Sequence, residues 1–186
     1  MFNFKADYSK NETMDFSPLP EGNYECIIES TKEDATPNGK EKFQLKLVVR
    51  NDLDNALPET NGKYKNRVLF HDMWKRNLPE GYVYDMEHFM YILEAVGVPE
   101  GTEINGIEQL QSMLRGKPVK VFTKVEYNDY QGEDENTIAP WGYSKSDYPN
   151  PQHTWKDGEQ PKPVTAEGNP FNKKDVTDTD EQDYPF

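Results

Sequence analysis

The clearest alternation of apolar and polar residues lies in the segment KFQLKLVVR, residues 42–50. Apolar side chains occupy every second position from Phe43 to Val49, which is the period of a β-strand with one buried face. The preceding segment 23–31 is rich in strand-forming residues. The turn TPNGKE between the two contains Asn-Gly, a strong hairpin signal. The pattern therefore predicts an antiparallel hairpin.

Three further strands and two helices are predicted downstream. Segment 84–101 has apolar residues at helical spacing, with Asp85 placed as an N-cap and Gly97 as a C-cap. The segment GIEQLQSMLRGK predicts a second, short helix that stops at Gly116. The strands are KYKNRVLFHDMW (63–74), PVKVFTKVEY (118–127) and NTIAPWGY (136–143), the last two joined by the acidic loop NDYQGEDE.

The order of these elements is three strands, a helical insertion and two strands. That is the order of an OB-fold, a five-stranded barrel with its helix between the third and fourth strands. The predicted fold class is therefore mainly β, an OB-fold-like five-stranded barrel with a helical insertion. A five-stranded meander with a packed helix in another topology has the same order, because pairing between the first and fourth strands cannot be seen in a sequence.

Composition divides the chain into four parts. Residues 1–20 predict an N-terminal arm, and residues 21–143 predict the OB-like domain. From Ser144 onward, proline and scattered charge replace aliphatic residues, so residues 144–174 predict a flexible Pro-rich linker. Residues 175–186 predict a disordered acidic tip. The low apolar content of the whole chain, 34%, fits this division.

Several classes of protein are disfavoured by what the sequence lacks. Cys26 is the only cysteine, which excludes an internal disulfide and a cysteine zinc cluster and favours a reducing cytoplasm. No apolar run approaches the ~20 residues of a membrane span, so no membrane partner is predicted. No common catalytic motif occurs, and His71 and Asp72 are adjacent on a strand, where neighbours point apart. We therefore predict no catalytic residues, metal or cofactor.

Cations and aromatic rings concentrate on the predicted strands, although the net charge of the chain is −13. Single-stranded nucleic acid needs cations for its phosphates and flat apolar partners for its bases. Phe70 is one further candidate ring, and for Phe70 and Trp74 a core position is the leading alternative. The predicted DNA-binding residues are Lys42, Lys46, Arg50, Tyr64, Lys65, Arg67, Trp74, Lys120, Phe122, Lys124 and Trp141.

The acidic tip ends in Pro-Phe and is predicted to dock a partner protein. A terminal phenylalanine offers a ring and a carboxylate together, which a pocket with a basic rim can capture. The same acids can imitate a phosphate backbone and compete for the cationic strands. The predicted partner-binding residues are Asp180, Glu181, Asp183, Tyr184, Pro185 and Phe186.

Residues 1–143 resemble a family of bacteriophage proteins described as a domain of unknown function (DUF669). The resemblance is carried by the aromatic-rich start and by the blocks LPEGNYECIIES, NGKEKFQLKLVV, MEHFMYILEAVGV and LRGKPVKVFTKVEY. Members of that family are encoded near recombination and replication genes. The resemblance therefore implies a protein that binds single-stranded DNA during phage replication or recombination, in the cytoplasm of a bacterial host. It implies no catalytic residues.

The end of the chain, DEQDYPF, separately resembles the tail of bacterial single-stranded DNA-binding proteins. That family has an aliphatic residue where Tyr184 stands. The resemblance implies that Asp183, Pro185 and Phe186 form the partner-docking tip, which would recruit replication or recombination proteins.

The function predicted is a phage single-stranded DNA-binding protein that coats DNA with little sequence preference and recruits partners through its tip. The sequence leaves open whether the protein forms a homo-oligomer. The alternative is an acidic protein-interaction or DNA-mimic module that inhibits or scaffolds a host protein, which the net charge of −13 fits better. A third hypothesis is a metal-dependent nuclease with His71 and Asp72 among its ligands.

Overall fold

The computed structural model describes residues 5–8 and 17–155 of the 186-residue chain. More of this part is in strands than in helices, and all of its strand pairs are antiparallel. The main sheet has the strand order β3-β2-β1-β6-β7, with β8 also paired to β6, and β4 and β5 form a separate hairpin. The strands are β1 (Gly22–Ala35), β2 (Glu41–Val49), β3 (Val68–Trp74), β4 (Arg76–Leu78), β5 (Gly81–Val83), β6 (Pro118–Asn128), β7 (Glu133–Thr137) and β8 (Tyr143–Ser144).

The predicted hairpin of β1 and β2 is confirmed. Gly39 adopts a φ of 78°, where a side chain would be strained, and its N–H donates to the Thr36 carbonyl at 2.8 Å. The alternation of β2 sorts its residues as expected, because Phe43, Leu45 and Leu47 are fully buried between the sheet and the helices. The intervening lysines therefore lie on the other face of the sheet.

The pairing of β1 with β6 defines the topology, and the sequence could not show it. Tyr24 lies opposite Val121 and Glu25 lies opposite Lys120 in this antiparallel ladder. The prediction of a mainly β fold is confirmed. The predicted closed barrel is not formed, since no ladder joins β3 to β7 in the part of the chain that the structure describes.

A side-chain pair spans the side of the sheet that stays open. The Nδ1 atom of His71, on β3, lies 2.6 Å from the hydroxyl oxygen of Tyr143, on β8. The two rings also stack, with centroids 5.4 Å apart. Both side chains are buried, so β3 and β8 are joined through the core rather than through backbone hydrogen bonds.

Both predicted helices are confirmed, as α1 (Met86–Ala95) and α2 (Ile107–Leu114). Asp85 caps α1 by accepting a hydrogen bond from the Glu87 N–H at 3.1 Å. The helices cover the core with Phe89, Ile92 and Leu114. No helix among residues 5–8 and 17–155 is long and apolar enough to cross a membrane.

Two predicted strands have different bounds in the structure. The third begins at Val68 rather than at residue 63, because Asn66 takes a left-handed turn conformation with φ 64°. The predicted fifth strand is divided, since β7 ends at Thr137 and a short helical turn at Pro140–Gly142 precedes β8. Proline lacks the N–H that would continue the ladder.

Both ends of the described domain extend beyond the predicted boundaries. Leu19, assigned to the arm, is buried and exchanges two backbone hydrogen bonds of 2.8 Å with the Asn136 amide. Residues 144–155, assigned to the flexible linker, instead bind the sheet, and we refer to them as the C-terminal strap. Residues 1–4 and 9–16 of the predicted arm, and 156–186 with the rest of the linker and the tip, lie outside the described residues.

Candidate nucleic-acid interface

The outer face of the sheet, opposite the core, pairs lysines of β2 with aromatic residues of β3. Lys42 lies directly beside Trp74, and Lys46 lies directly beside Phe70. Directly opposed residues on one face of a sheet are close enough for their side chains to touch. The two strands therefore present two cation-and-ring pairs side by side.

Phe70 and Trp74 are 52% and 41% exposed. The expectation that these two rings would more readily be core residues is wrong, because the residues of β3 that point inward are Leu69, His71 and Met73. The two rings are four positions apart on one strand, so their backbone positions are roughly 13 Å apart. Rings at that spacing can contact two bases of one extended strand.

A groove of about 770 Å³ lies between β3 and the hairpin of β6 and β7. We call it the β3 groove. Its hairpin wall includes Tyr130, which is 97% exposed. Sequence reasoning missed this residue because it treated the hairpin tip as an acidic loop. The residues that line the β3 groove include Lys42, Phe70, Asp72, Trp74, Tyr130 and Thr137.

The two lysines beside these rings, of which Lys42 lines the β3 groove, are paired with acids. The Lys42 ammonium is 2.7 Å from Asp72 Oδ2 and 5.3 Å from the centroid of the Trp74 ring. The Lys46 ammonium is 2.5 Å from Glu29 Oε2. A phosphate that binds either lysine therefore replaces a carboxylate, so the rings rather than an open field of positive charge distinguish this surface.

A second hollow, of about 700 Å³, adjoins the β3 groove and shares Thr137 and Ile138 with it. It brings together three of the predicted DNA-binding residues, Phe122, Lys124 and Trp141. Trp141 is 73% exposed, and Lys124 has no ion pair among the described residues. This hollow extends the candidate interface with the rings of Phe122 and Trp141 and with a lysine that has no ion pair in the described part of the chain.

Arg50 is the clearest correction to the predicted site. It is 1% exposed, and its guanidinium donates two hydrogen bonds to the Asp52 carboxylate, at 3.0 and 2.6 Å. It donates a third to the Tyr148 carbonyl, at 2.6 Å. A guanidinium that is buried and bonded in this way cannot reach a phosphate, so Arg50 does not belong to the candidate interface.

The C-terminal strap covers the end of the outer face where Arg50 lies. The buried carboxylate of Glu25 accepts hydrogen bonds from the Ser146 hydroxyl at 2.5 Å and the Asp147 N–H at 2.9 Å. Asp147 also pairs with Lys120 at 2.8 Å. The strap thus contacts the buried side chains of Glu25 and Arg50, and it pairs with Lys120, which is one of the predicted DNA-binding residues.

The strap ends against the loop that follows β2. Asn51 exchanges two hydrogen bonds with the backbone of Thr154, and its own N–H donates to His153 Nδ1 at 3.1 Å. His153 is buried, and burial lowers the pKa of its imidazole. These contacts make the strap part of the folded domain.

Three further predicted residues lie at the turn before β3 and do not line either hollow. Tyr64 is half-buried and packs edge-on against Tyr24, with ring centroids 6.1 Å apart. Lys65 pairs with Asp54 at 2.7 Å, and Arg67 donates to the Ser17 carbonyl. The predicted partner-binding residues of the tip, which begin at Asp180, lie outside the described residues.

The pair considered for a metal-dependent nuclease is split between the two faces of β3. His71 points into the core, where burial lowers the pKa of its imidazole to about 4. Asp72 lies on the outer face and accepts hydrogen bonds from Lys42 and Gln44. The two side chains do not converge on a common point.

A family model described as "Protein of unknown function (DUF669)" matches residues 4–163, which is most of the chain. The family assignment made from the sequence is therefore confirmed, over a longer range than the resemblance was drawn. A search of curated proteins finds no match.

Proposed function

The chain belongs to the DUF669 family, and on that premise we propose that it is a single-stranded DNA-binding protein of phage replication or recombination, built on an OB-fold. Bases would stack on Phe70 and Trp74 in the β3 groove, while Lys42 and Lys46 would contact the intervening phosphates. The adjoining hollow with Phe122, Lys124 and Trp141 would continue the path, and sequence preference would be low.

The topology supports the OB-fold part of this proposal. The sheet order β3-β2-β1-β6-β7, with both helices between β3 and β6, is the strand order of that fold. OB-folds bind oligonucleotides on the face of their second and third strands and with the loop between their last two strands. The β3 groove lies at the corresponding place, between β3 and the hairpin of β6 and β7.

The observation that carries the proposal is the exposure of Phe70 and Trp74 beside lysines. A large ring that stays in contact with water on a strand gains little for folding. Stacking a base on such a ring contributes about 1–3 kcal/mol and tolerates any base. Two such rings, each directly beside a cation, fit a strand of nucleic acid better than they fit a solvated surface.

We expect Phe70→Ala and Trp74→Ala each to weaken binding of a fluorescent oligothymidine by about 1–3 kcal/mol, or roughly 5-fold to 150-fold. Fluorescence anisotropy titration of the full-length protein measures this. Tyr91→Ala is the matched control, because Tyr91 is an exposed ring on α1 outside both hollows. Equal affinity of the wild type and the two groove variants, or no binding at all, would overturn the proposal.

The acidic tip belongs to the same proposal as a segment that recruits partners. Its support is the sequence of residues 180–186 alone, where three acids precede Tyr184, Pro185 and Phe186. A tip of this composition would also compete weakly with DNA for the lysines of the outer face.

A further inference from the structure

A third hollow, of about 760 Å³, lies between the β4–β5 hairpin and the start of α1. None of the predicted DNA-binding residues lines it. Its apolar lining comes from the hairpin, from α1 and from the start of α2, and Met86 within it is 50% exposed. The apolar residues that line it are Leu78, Pro79, Tyr82, Val83, Met86 and Ile107.

The rim of this hollow is acidic. Glu33, Glu80, Asp85 and Glu87 line it, although Asp85 is paired with Arg76, and Lys75 is the one lysine among the residues that line it. Lys75 is already paired with Glu41 at 2.5 Å. We call this site the acid-rimmed hollow.

The floor of the acid-rimmed hollow is held in place before any ligand arrives. The Tyr84 hydroxyl donates to Glu33 Oε1 at 2.9 Å, and the Lys75 ammonium lies 5.1 Å from the centroid of the Tyr84 ring. The Glu41 N–H donates to the Tyr82 hydroxyl at 3.1 Å, which ties the hairpin to β2. A surface ordered in this way loses little conformational entropy when it binds.

We propose that the acid-rimmed hollow docks a basic peptide segment of a partner protein, with an apolar side chain of that peptide inserted beside Met86. The acidic rim repels phosphates, so it disfavours nucleic acid and attracts lysine and arginine. Methionine adapts to differently shaped apolar side chains, and volumes of 300–1,000 Å³ are typical of ligand sites. The charge of the rim and the apolar floor thus select the same class of occupant.

This site is independent of the proposed DNA-binding function. Trp74 lines the β3 groove and Lys75, the next residue, lines the acid-rimmed hollow, so the two sites adjoin but differ in charge. A basic segment in the hollow would leave Phe70 and Trp74 free. The protein could then hold a partner and a nucleic-acid strand at the same time.

The test uses a fluorescein-labelled octapeptide of lysine and leucine, KLLKKLLK, titrated with the full-length protein and followed by anisotropy. We expect saturable binding of this peptide and none of the acidic counterpart ELLEELLE. Met86→Ser should weaken binding about tenfold, since it removes most of a buried methionine contact. Met90→Ser is the matched control, one turn further along α1, comparably exposed and outside the hollow.

A second pair of variants tests the rim. Glu80→Gln with Glu87→Gln should weaken peptide binding severalfold, whereas Glu94→Gln with Glu100→Gln, which removes the same charge outside the hollow, should not. Equal losses of peptide affinity in the two double variants would mean that the peptide is attracted by the overall charge of the protein, and this result would overturn the proposal. Absence of any peptide binding would overturn it too. Loss of oligothymidine binding in the Met86 variant would also overturn it, because nucleic acid would then be the occupant.

Discussion

The two ends of the outer sheet face carry similar residues and have opposite environments. At the β3 end, Lys42 and Lys46 are partly exposed and paired with Asp72 and Glu29, and they lie beside exposed rings. At the other end, Arg50 and Glu25 are buried under the C-terminal strap, and Lys120 is held by Asp147 of the strap. Basic residues on alternate strand positions therefore lie on an open surface or in a structural network according to which segment crosses them.

The physical difference lies in solvation. A buried charge is tolerated only when other groups replace its water, and the strap supplies those groups to Glu25 and Arg50. A partly exposed lysine such as Lys46 keeps part of its water, so its pairing with a carboxylate is weaker and a phosphate can replace that carboxylate. Three measurements distinguish the two ends of the face, and the expected effect decreases from the first to the third.

Arg50→Met should give the largest effect. It leaves the nearly buried Asp52 carboxylate without its guanidinium and frees the Tyr148 carbonyl of the strap. We expect the free energy of unfolding to fall by about 3–5 kcal/mol, measured by urea denaturation.

The matched control for Arg50 is Lys65→Met, which breaks an exposed ion pair with Asp54 and should cost less than about 1 kcal/mol. Similar losses for the two variants would contradict the distinction between the two ends. Oligothymidine binding by folded Arg50→Met protein should remain, because Arg50 lies outside the β3 groove.

An intermediate effect is expected from acidification, through the His71–Tyr143 pair that links the groove strand to β8. Burial lowers the pKa of folded His71 from 6.5 to about 4, while the nearby Asp72 partly opposes the shift. The unfolded chain therefore binds this proton first, and stability is lost as the pH falls from about 6.5 towards 4. Between pH 7 and pH 5 the loss is about 2 kcal/mol.

Urea denaturation of the wild type and of His71→Gln at both pH values measures this dependence. The variant should lose less stability on acidification by about the same 2 kcal/mol. His153, whose pKa is also lowered by burial, leaves a residual dependence of the same sign in both proteins. An unchanged pH dependence in the variant would show that His71 is not the proton-binding group.

The smallest effect concerns DNA affinity and salt. Lys46→Gln should weaken oligothymidine binding severalfold and reduce the slope of log affinity against log salt by about 0.7, the value for one phosphate contact on a single strand. Lys120→Gln should change neither, because Lys120 lies beside the strap, away from Phe70 and Trp74, and lines neither hollow. Equal reductions in the two variants would mean that the strap does not shield its end of the face.

The local elements were predictable because their signals lie within a few residues. Asn-Gly at the first turn, Asp85 before α1 and alternation in β2 each act on neighbouring backbone, and each prediction is confirmed. The elements that were missed depend on distant contacts. The β4–β5 hairpin is short, and the strap has the composition of a linker although Glu25 and Arg50 order it.

The kinds of residue at the candidate site were predictable from the sequence, but not every individual residue was. Lysines and rings on β2 and β3 were expected, and Lys42, Lys46 and Trp74 do lie together. Arg50 was misplaced because a guanidinium on a polar strand position looks the same in sequence whether water or a strap covers it. Tyr130 was missed because its role depends on where the β6–β7 hairpin lies relative to β3.

The amino-acid pattern by itself determined which residues of each strand point together and where the helices begin and end, because these follow from the periods of the backbone. Only the tertiary structure decided which part of the polar face stays open. That depends on the β1–β6 pairing and on the path of residues 144–155 across the sheet. Both are contacts between distant segments, whose stability comes from burial and from satisfied charges rather than from any local preference.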